Sequence, residues 1–198
     1  MEYTELGWTG VKISRIGLGT WQFSEAWGVT DYSLAKKIVE KAIEKGINFF
    51  DTAMVYGHGM SEEFLGKALR ELDVKREDVV IATKIPGDFL SFDDVFKAID
   101  RSLERLGVEY IDLLQLHWPP CWHNHPTCEY ARALERIVKL GKVKFIGVSN
   151  YPPALIDDLR SCFSTIDIVS MQYRYNLIER QAEKELIPYA EMNDLTFF

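Results

Sequence analysis

The chain has 198 residues, about the length of one domain, with 47% hydrophobic and 27% charged residues, an ordinary balance for a folded globular protein. A formal net charge of −7 argues against a nucleic-acid or anionic-membrane surface, which would need a basic patch. No apolar run is long enough to span a bilayer, and the opening MEYTELGWTG has no basic stretch followed by an apolar core, so neither a membrane span nor a secretory signal is expected.

The first segment, EYTELGWTGVKIS, alternates apolar residues around Gly7 and Gly10 and predicts a small β-hairpin. RIGLGT follows as a first buried strand. Residues Thr30 to Lys45 carry Leu34, Ala35, Ile38, Val39, Ala42 and Ile43 on one helical face, with Gly46 placed to end the helix. After a strand ending at Asp51, Ser61 is the expected cap of a helix containing Phe64, Leu65, Ala68 and Leu69. A strand to Lys84 precedes a helix that Ser91 would cap and Gly107 would close, with Val95, Ile99, Leu103 and Leu106 inside. The strand to His117 leads into a longer loop. Thr127 is then the expected cap of a helix with Ala133, Leu134, Ile137 and Val138, ended by Gly141. A strand to Asn150 meets Pro152 and Pro153, which suit a first helical turn. A helix through Leu155 and Leu159, a strand to Gln172, a helix near 181–191 and the run LTFF complete the chain.

Four of these apolar runs end in single polar residues at one spacing. Asp51, Lys84, His117 and Asn150 lie 33 residues apart in succession, and DIVSMQ adds Gln172. Apolar runs capped this way and followed by helices predict buried parallel strands feeding βα loops. A doubly wound sheet would need a glycine-rich phosphate loop, and the GLG of RIGLGT lacks the third glycine at the required spacing. The expected architecture is therefore an α/β fold of the (β/α)₈ (TIM) barrel type, one domain over 1–198, with an N-terminal hairpin plug. It is incomplete, because six strand–helix units and the start of a seventh strand fall short of the ~250 residues such a barrel takes.

The strand ends of such a barrel form one rim, where its chemistry resides. Tyr56 lies five residues after Asp51 in the loop above the second strand. A phenol with an ordinary pKa of ~10 is a poor acid at neutral pH, and a nearby ammonium favours its phenolate. On this reading Asp51 orients Lys84, Lys84 tunes Tyr56, and His117 donates to a carbonyl oxygen near the Tyr56 hydroxyl. No side chain supplies a hydride, so a nicotinamide cofactor is implied.

The hairpin and GLGTW, DTAMVYGHGMSEEFLG with Asp51 and Tyr56, the strand end at Lys84, LHWP with His117, GVSN with Asn150 and QYRYNLIER together resemble the aldo-keto reductase superfamily over essentially the whole chain. The resemblance implies an NADPH-dependent reduction of an aldehyde or ketone to an alcohol, with NADH as the alternative carrier. Tyr56 is then the proton donor, Lys84 and Asp51 its tuning pair, and His117 the carbonyl orienter. The resemblance further implies that Gly19, Thr20 and Trp21 line the cofactor with Asp51. Ser149, Asn150 and Gln172 would hydrogen-bond the nicotinamide carboxamide, and Trp21 and Trp118 would wall the substrate pocket beside Tyr56 and His117. The family's nicotinamide-stacking aromatic and its pyrophosphate loop would fall beyond Phe198, so the chain is expected to be a truncated form with an open barrel edge that invites self-association.

Plainer readings stand beside these. Asp51 and Lys84 alone would be a structural ion pair, and Trp27, Trp118 and Trp122 fit packing as well as a pocket. A non-catalytic barrel that binds a nucleotide or a partner, as a regulatory subunit would, is the alternative function. A metal-binding loop from Cys121 to Cys128, with His117, His123 and His125 nearby, is a lesser alternative. Its spacings form no paired ligand pattern, so no metal is expected. Cys121, Cys128 and Cys162 form no disulfide framework, which suits a reducing compartment and a cytoplasmic location.

Overall fold

The central apolar runs become strands because their β-rich residues are buried on both faces, whereas the edge runs at Leu18–Gly19 and Thr196–Phe197 are only partly buried or exposed. In β5 (Val80–Ile85) and β6 (Ile111–Leu116) every residue is buried. The structure, a computed structural model, describes residues 1–25, 28–120 and 124–198. A hairpin of β1 (Tyr3–Glu5) and β2 (Lys12–Ser14) comes first. The parallel sheet then runs in chain order through β3 (Leu18–Gly19), β4 (Phe49–Asp51), β5, β6, β7 (Val143–Ser149), β8 (Ile168–Gln172) and β9 (Thr196–Phe197). Between successive strands lie α1 (Tyr32–Glu44), α2 (Met60–Glu71), α3 (Phe92–Leu106), α4 (Thr127–Lys139), α5 (Pro153–Cys162) and α6 (Leu186–Met192). Six strand–helix units and a seventh strand make an incomplete (β/α)₈ barrel. Among the described residues β3 and β9 are its two edges, each paired on one side.

Two apolar layers hold the sheet. The larger lies between strands and helices, where α3 contributes Val95, Ala98, Ile99 and Leu106. Each large side chain buried there is worth roughly 2 kcal/mol. The smaller fills the lower lumen with Phe49, Val80, Ala82, Leu113 and Val169, and Leu6 and Ile13 of the hairpin pack into it. The hairpin is thus the plug expected from the sequence. Val169 enters this layer through a bulge: Ile146 pairs with Ile168 and Gly147 with Ser170, which leaves Val169 as the extra residue.

Several local expectations are corrected. Ser61 does not cap α2. Gly59, at φ 102°, takes that place, and the Ser61 hydroxyl bonds elsewhere. Thr127 is the first residue of α4, and Pro126 precedes it without a side-chain cap. Helix α1 begins at Tyr32, two residues after the Thr30 start of the expected stretch, and Asp31 caps it by accepting from Ser33 N at 2.8 Å. The helix expected near 181–191 is split into a 3₁₀ turn, Gln181–Glu183, and α6. Pro188 explains the split, because its ring clashes with the carbonyl four residues earlier and it lacks the N–H that would bond there. Ser91 and Gly107 bound α3 as expected, Gly107 at φ 64°.

The cysteines differ most from expectation: Cys128, in the first turn of α4, is joined to Cys162, the last residue of α5. The Cys128 sulfur is therefore not a thiolate ligand, and no metal-ligating cluster occurs among the described residues. Trp27, Cys121, Trp122 and His123 lie outside them. No helix of the described residues is long and apolar enough to cross a membrane.

Candidate active site

Alternation along parallel strands sends every second side chain into the lumen, so polar strand ends meet above the apolar lower layer. Asp51 closes β4 and Lys84 is the penultimate residue of β5. Lys84 is almost fully buried, and its Nζ donates to Asp51 Oδ2 at 2.6 Å, to Thr52 O at 2.9 Å and to Tyr56 Oη at 3.2 Å. All three ammonium hydrogens are thereby used, as burial of a charge requires. Asp51 also accepts from Gln115 Nε2 and Gln172 Nε2, each at 3.2 Å.

Tyr56 opens a 3₁₀ turn, Tyr56–Gly59. The turn needs left-handed backbone at three successive residues, Gly57 (φ 55°), His58 (φ 55°) and Gly59 (φ 102°). Glycine supplies this without strain at two of them. The chain thus doubles back into α2 and aims the phenol at Lys84. His117 follows β6 directly, its N–H bonded to Ile85 O at 2.8 Å. Its ring meets Tyr56 edge-on with centroids 5.7 Å apart, and Trp118 lies 4.5 Å beyond. Burial, with the Lys84 ammonium adding to it, pushes the His117 imidazole down to about 3. The ring is therefore neutral at physiological pH, with one N–H to donate, and its Nδ1 is buried without a hydrogen-bond partner among the described residues.

One cavity of about 610 Å³ is lined by Trp21, Val55, Tyr56, Lys84, His117, Trp118, Ser149, Asn150, Gln172, Tyr173 and Arg174. It gathers eight of the residues singled out from the sequence. Asn150 reaches it by adopting φ 59°, a region asparagine tolerates, and its Nδ2 donates to His117 O at 2.9 Å. Gly19 and Asp51 line the adjoining opening of about 790 Å³ between β9 and β3. Thr20 reaches neither: it is fully buried, with its hydroxyl 2.7 Å from Ser61 Oγ and 3.2 Å from Asp51 O.

Gln115 is not among the residues the sequence reading names, yet it is fully buried and holds Asp51. Its signal is a period of two: a lone polar residue two places before His117 in DLLQLH must share its face.

Against this geometry, the model of the aldo/keto reductase family matches residues 15–198. The chain belongs to the aldo/keto reductase family. It is 38% identical to the aldo-keto reductase YhdN of Bacillus subtilis (strain 168), over 99% of this chain and 60% of that protein. It therefore spans about 60% of that relative's length. The thermostable aldo-keto reductase Tm1743, solved with the inhibitor epalrestat, superposes with a TM-score of 0.88 at 36% identity, over 100% of this chain and 71% of that one. An aldo-keto reductase from Klebsiella pneumoniae solved in complex with NADPH gives a TM-score of 0.88 at 28% identity, over 100% of this chain and 66% of that one.

Proposed function

We propose that the cavity at the barrel mouth reduces an aldehyde or ketone to the alcohol, using NADPH. The observation that carries this reading is the hydrogen bond from the Lys84 ammonium to the Tyr56 hydroxyl, with Asp51 behind the ammonium. Tyr56 gives its proton to the carbonyl oxygen. The phenolate that forms keeps the Lys84 hydrogen bond and is stabilised by it. Asp51 holds the ammonium in place, and neutral His117 donates to the same carbonyl oxygen. Trp21, Val55 and Trp118 line the apolar side of the space.

The residues present fit a nicotinamide head. The Asn150 amide oxygen accepts no bond among the described residues, and the Gln172 oxygen takes only a long one, 3.4 Å, from Gln115. With Ser149 they offer a carboxamide both donors and acceptors within the Tyr56 cavity. Bound reduced nicotinamide would supply the hydride. The family, and a relative solved with NADPH, favour the phosphorylated carrier over NADH. Substitution of Tyr56 by Phe tests the reading: carbonyl-dependent NADPH oxidation falls about 10²- to 10⁴-fold while NADPH binding is kept. Unchanged turnover in that variant overturns the proton-donor assignment.

A second reading, a non-catalytic nucleotide- or partner-binding barrel, is favoured by one observation. The edges β3 and β9 face the opening of about 790 Å³ and can accept a strand from another copy. A monomeric mass in solution that turns over substrate counts against it.

A further inference from the structure

Behind the Tyr56 turn, on the helix side of the sheet, lies a second charge pair that the proposed reaction does not use, its carboxylate fully buried and its guanidinium side chain 26% exposed. Glu62, on the first turn of α2, is fully buried. Its Oε2 is 3.2 Å from Arg105 Nη1 on α3, and its Oε1 accepts from Thr83 Oγ1 at 2.7 Å. Thr83 precedes Lys84, so strand alternation turns one toward the helices and the other into the lumen. Arg105 Nη1 also lies 3.4 Å from Met54 O. The Met54 N–H in turn donates to Lys84 O at 3.3 Å. Finally, the guanidinium fills the space beneath Gly59, where an added Cβ would stand 2.3–2.5 Å from three of its atoms.

Arg105 thus touches the Tyr56 segment on both sides, at Met54 and at Gly59. Through Glu62 and Thr83 the same cation is tied to the strand that carries Lys84. Stability alone gives a weak account of the pair, because apolar residues of similar volume commonly replace a buried ion pair without loss. Two loop contacts on a planar, preorganised fork are what a positioning device needs.

We infer that Arg105, held by the buried Glu62 carboxylate, is a positioning residue that sets the Tyr56 hydroxyl against the Lys84 ammonium. Neither residue touches substrate; both act through the Met54–Gly59 segment. The inference rests on the reductase reading for its catalytic consequence, but its structural core is testable without it.

The experiment compares the full chain with Arg105→Met, the charge-balanced double variant Glu62→Met with Arg105→Met, and Arg105→Lys. The double variant keeps the volume and strands no charge, so it remains folded if the single variant does not. Two readouts are taken: kcat against KM with a carbonyl substrate and NADPH, and hydrogen–deuterium exchange of residues 52–60 against the α4–α5 region. In the double variant kcat falls about 100-fold, as misplacement by about 1 Å predicts, while KM stays within about twofold. Exchange across 52–60 quickens about tenfold with α4–α5 unchanged, and Arg105→Lys restores part of both losses. Wild-type kcat and protection in the double variant overturn the inference. If the unsubstituted chain turns over no carbonyl, the reductase reading fails by itself, and exchange alone decides: faster exchange in 52–60 sustains the positioning role and unchanged exchange ends it.

Discussion

Lys84 Nζ lies 2.6 Å from Asp51 Oδ2 but 3.2 Å from Tyr56 Oη. The ammonium is therefore anchored by the carboxylate and offered to the phenol. The anchor carries the stability, because a mostly buried carboxylate stripped of its cation is left largely uncompensated. The offered bond carries the chemistry. Replacing Lys84 by Met should thus damage both, lowering stability by about 3–5 kcal/mol in urea denaturation. Asp51 keeps its two glutamine donors, which favours the lower figure. A change below about 0.5 kcal/mol, the usual range for surface substitutions, contradicts the anchoring role.

His117 gives the fold an acid weakness. Its folded pKa, about 3, is below its ordinary 6.5, so below pH 6.5 the unfolded chain binds the proton more readily. The stability it contributes is full above about pH 6.5 and is lost as pH falls toward 3. The slope is at most about 1.4 kcal/mol per pH unit for one proton, and less because solvent reaches part of the ring. His117→Asn removes this component. Urea midpoints of both proteins between pH 7 and 4 should converge as pH falls, and parallel curves contradict the burial argument. The same depression keeps the ring neutral in any assay near pH 7, so a limb in the rate profile with its midpoint near the ordinary 6.5 belongs to another group.

Gly66 tests the close approach of α2 to α3. Glycine inside a helix normally costs about 1 kcal/mol relative to alanine, so Gly66→Ala should stabilise on propensity alone. Here an added Cβ would sit 2.0 Å from Leu106 O and 2.5 Å from its carbon, both backbone atoms that have no rotamer to yield. Overpacking of about 1–3 kcal/mol outweighs propensity, and the melting temperature falls. A rise in melting temperature shows that the helices part without cost.

The Cys128–Cys162 bond closes a separation of 34 residues. By chain entropy a loop of that size is worth about 3–4 kcal/mol. Reductant should lower thermal stability, and Cys162→Ser should remove the reductant effect. Thiol titration of the unreduced, denatured chain should find one free thiol of the three cysteines, and three free thiols contradict the bond.

The barrel was legible because its signals are periodic. Strand ends 33 residues apart fix where Asp51, Lys84, His117 and Asn150 stand, and the structure puts Tyr56, Lys84, His117 and Asn150 in one cavity with Asp51 bonded behind Lys84. Hydroxyl residues near helix starts were less legible. A serine before an apolar face reads as a cap, but Ser61 spends its hydroxyl on Thr20 and Thr52 across loops whose proximity only the tertiary fold creates. The Cys128–Cys162 pairing had no local signal, since it joins two helices. Gln115 had one, the strand alternation that also places His117. The Arg105–Glu62 pair had none, because a charged residue on a helix reads as solvated until the neighbouring helix covers it.

Whether the barrel mouth holds a nicotinamide cofactor decides the reductase proposal most directly. Trp21 and Trp118 line the same cavity as Tyr56, so a tryptophan-fluorescence titration of the folded chain with NADPH, with NADH in parallel, reads the site itself. Saturable quenching, tighter for NADPH, is the predicted result. A chain folded by circular dichroism that shows no quenching with either nucleotide contradicts the proposal that this chain is itself a nicotinamide-dependent reductase.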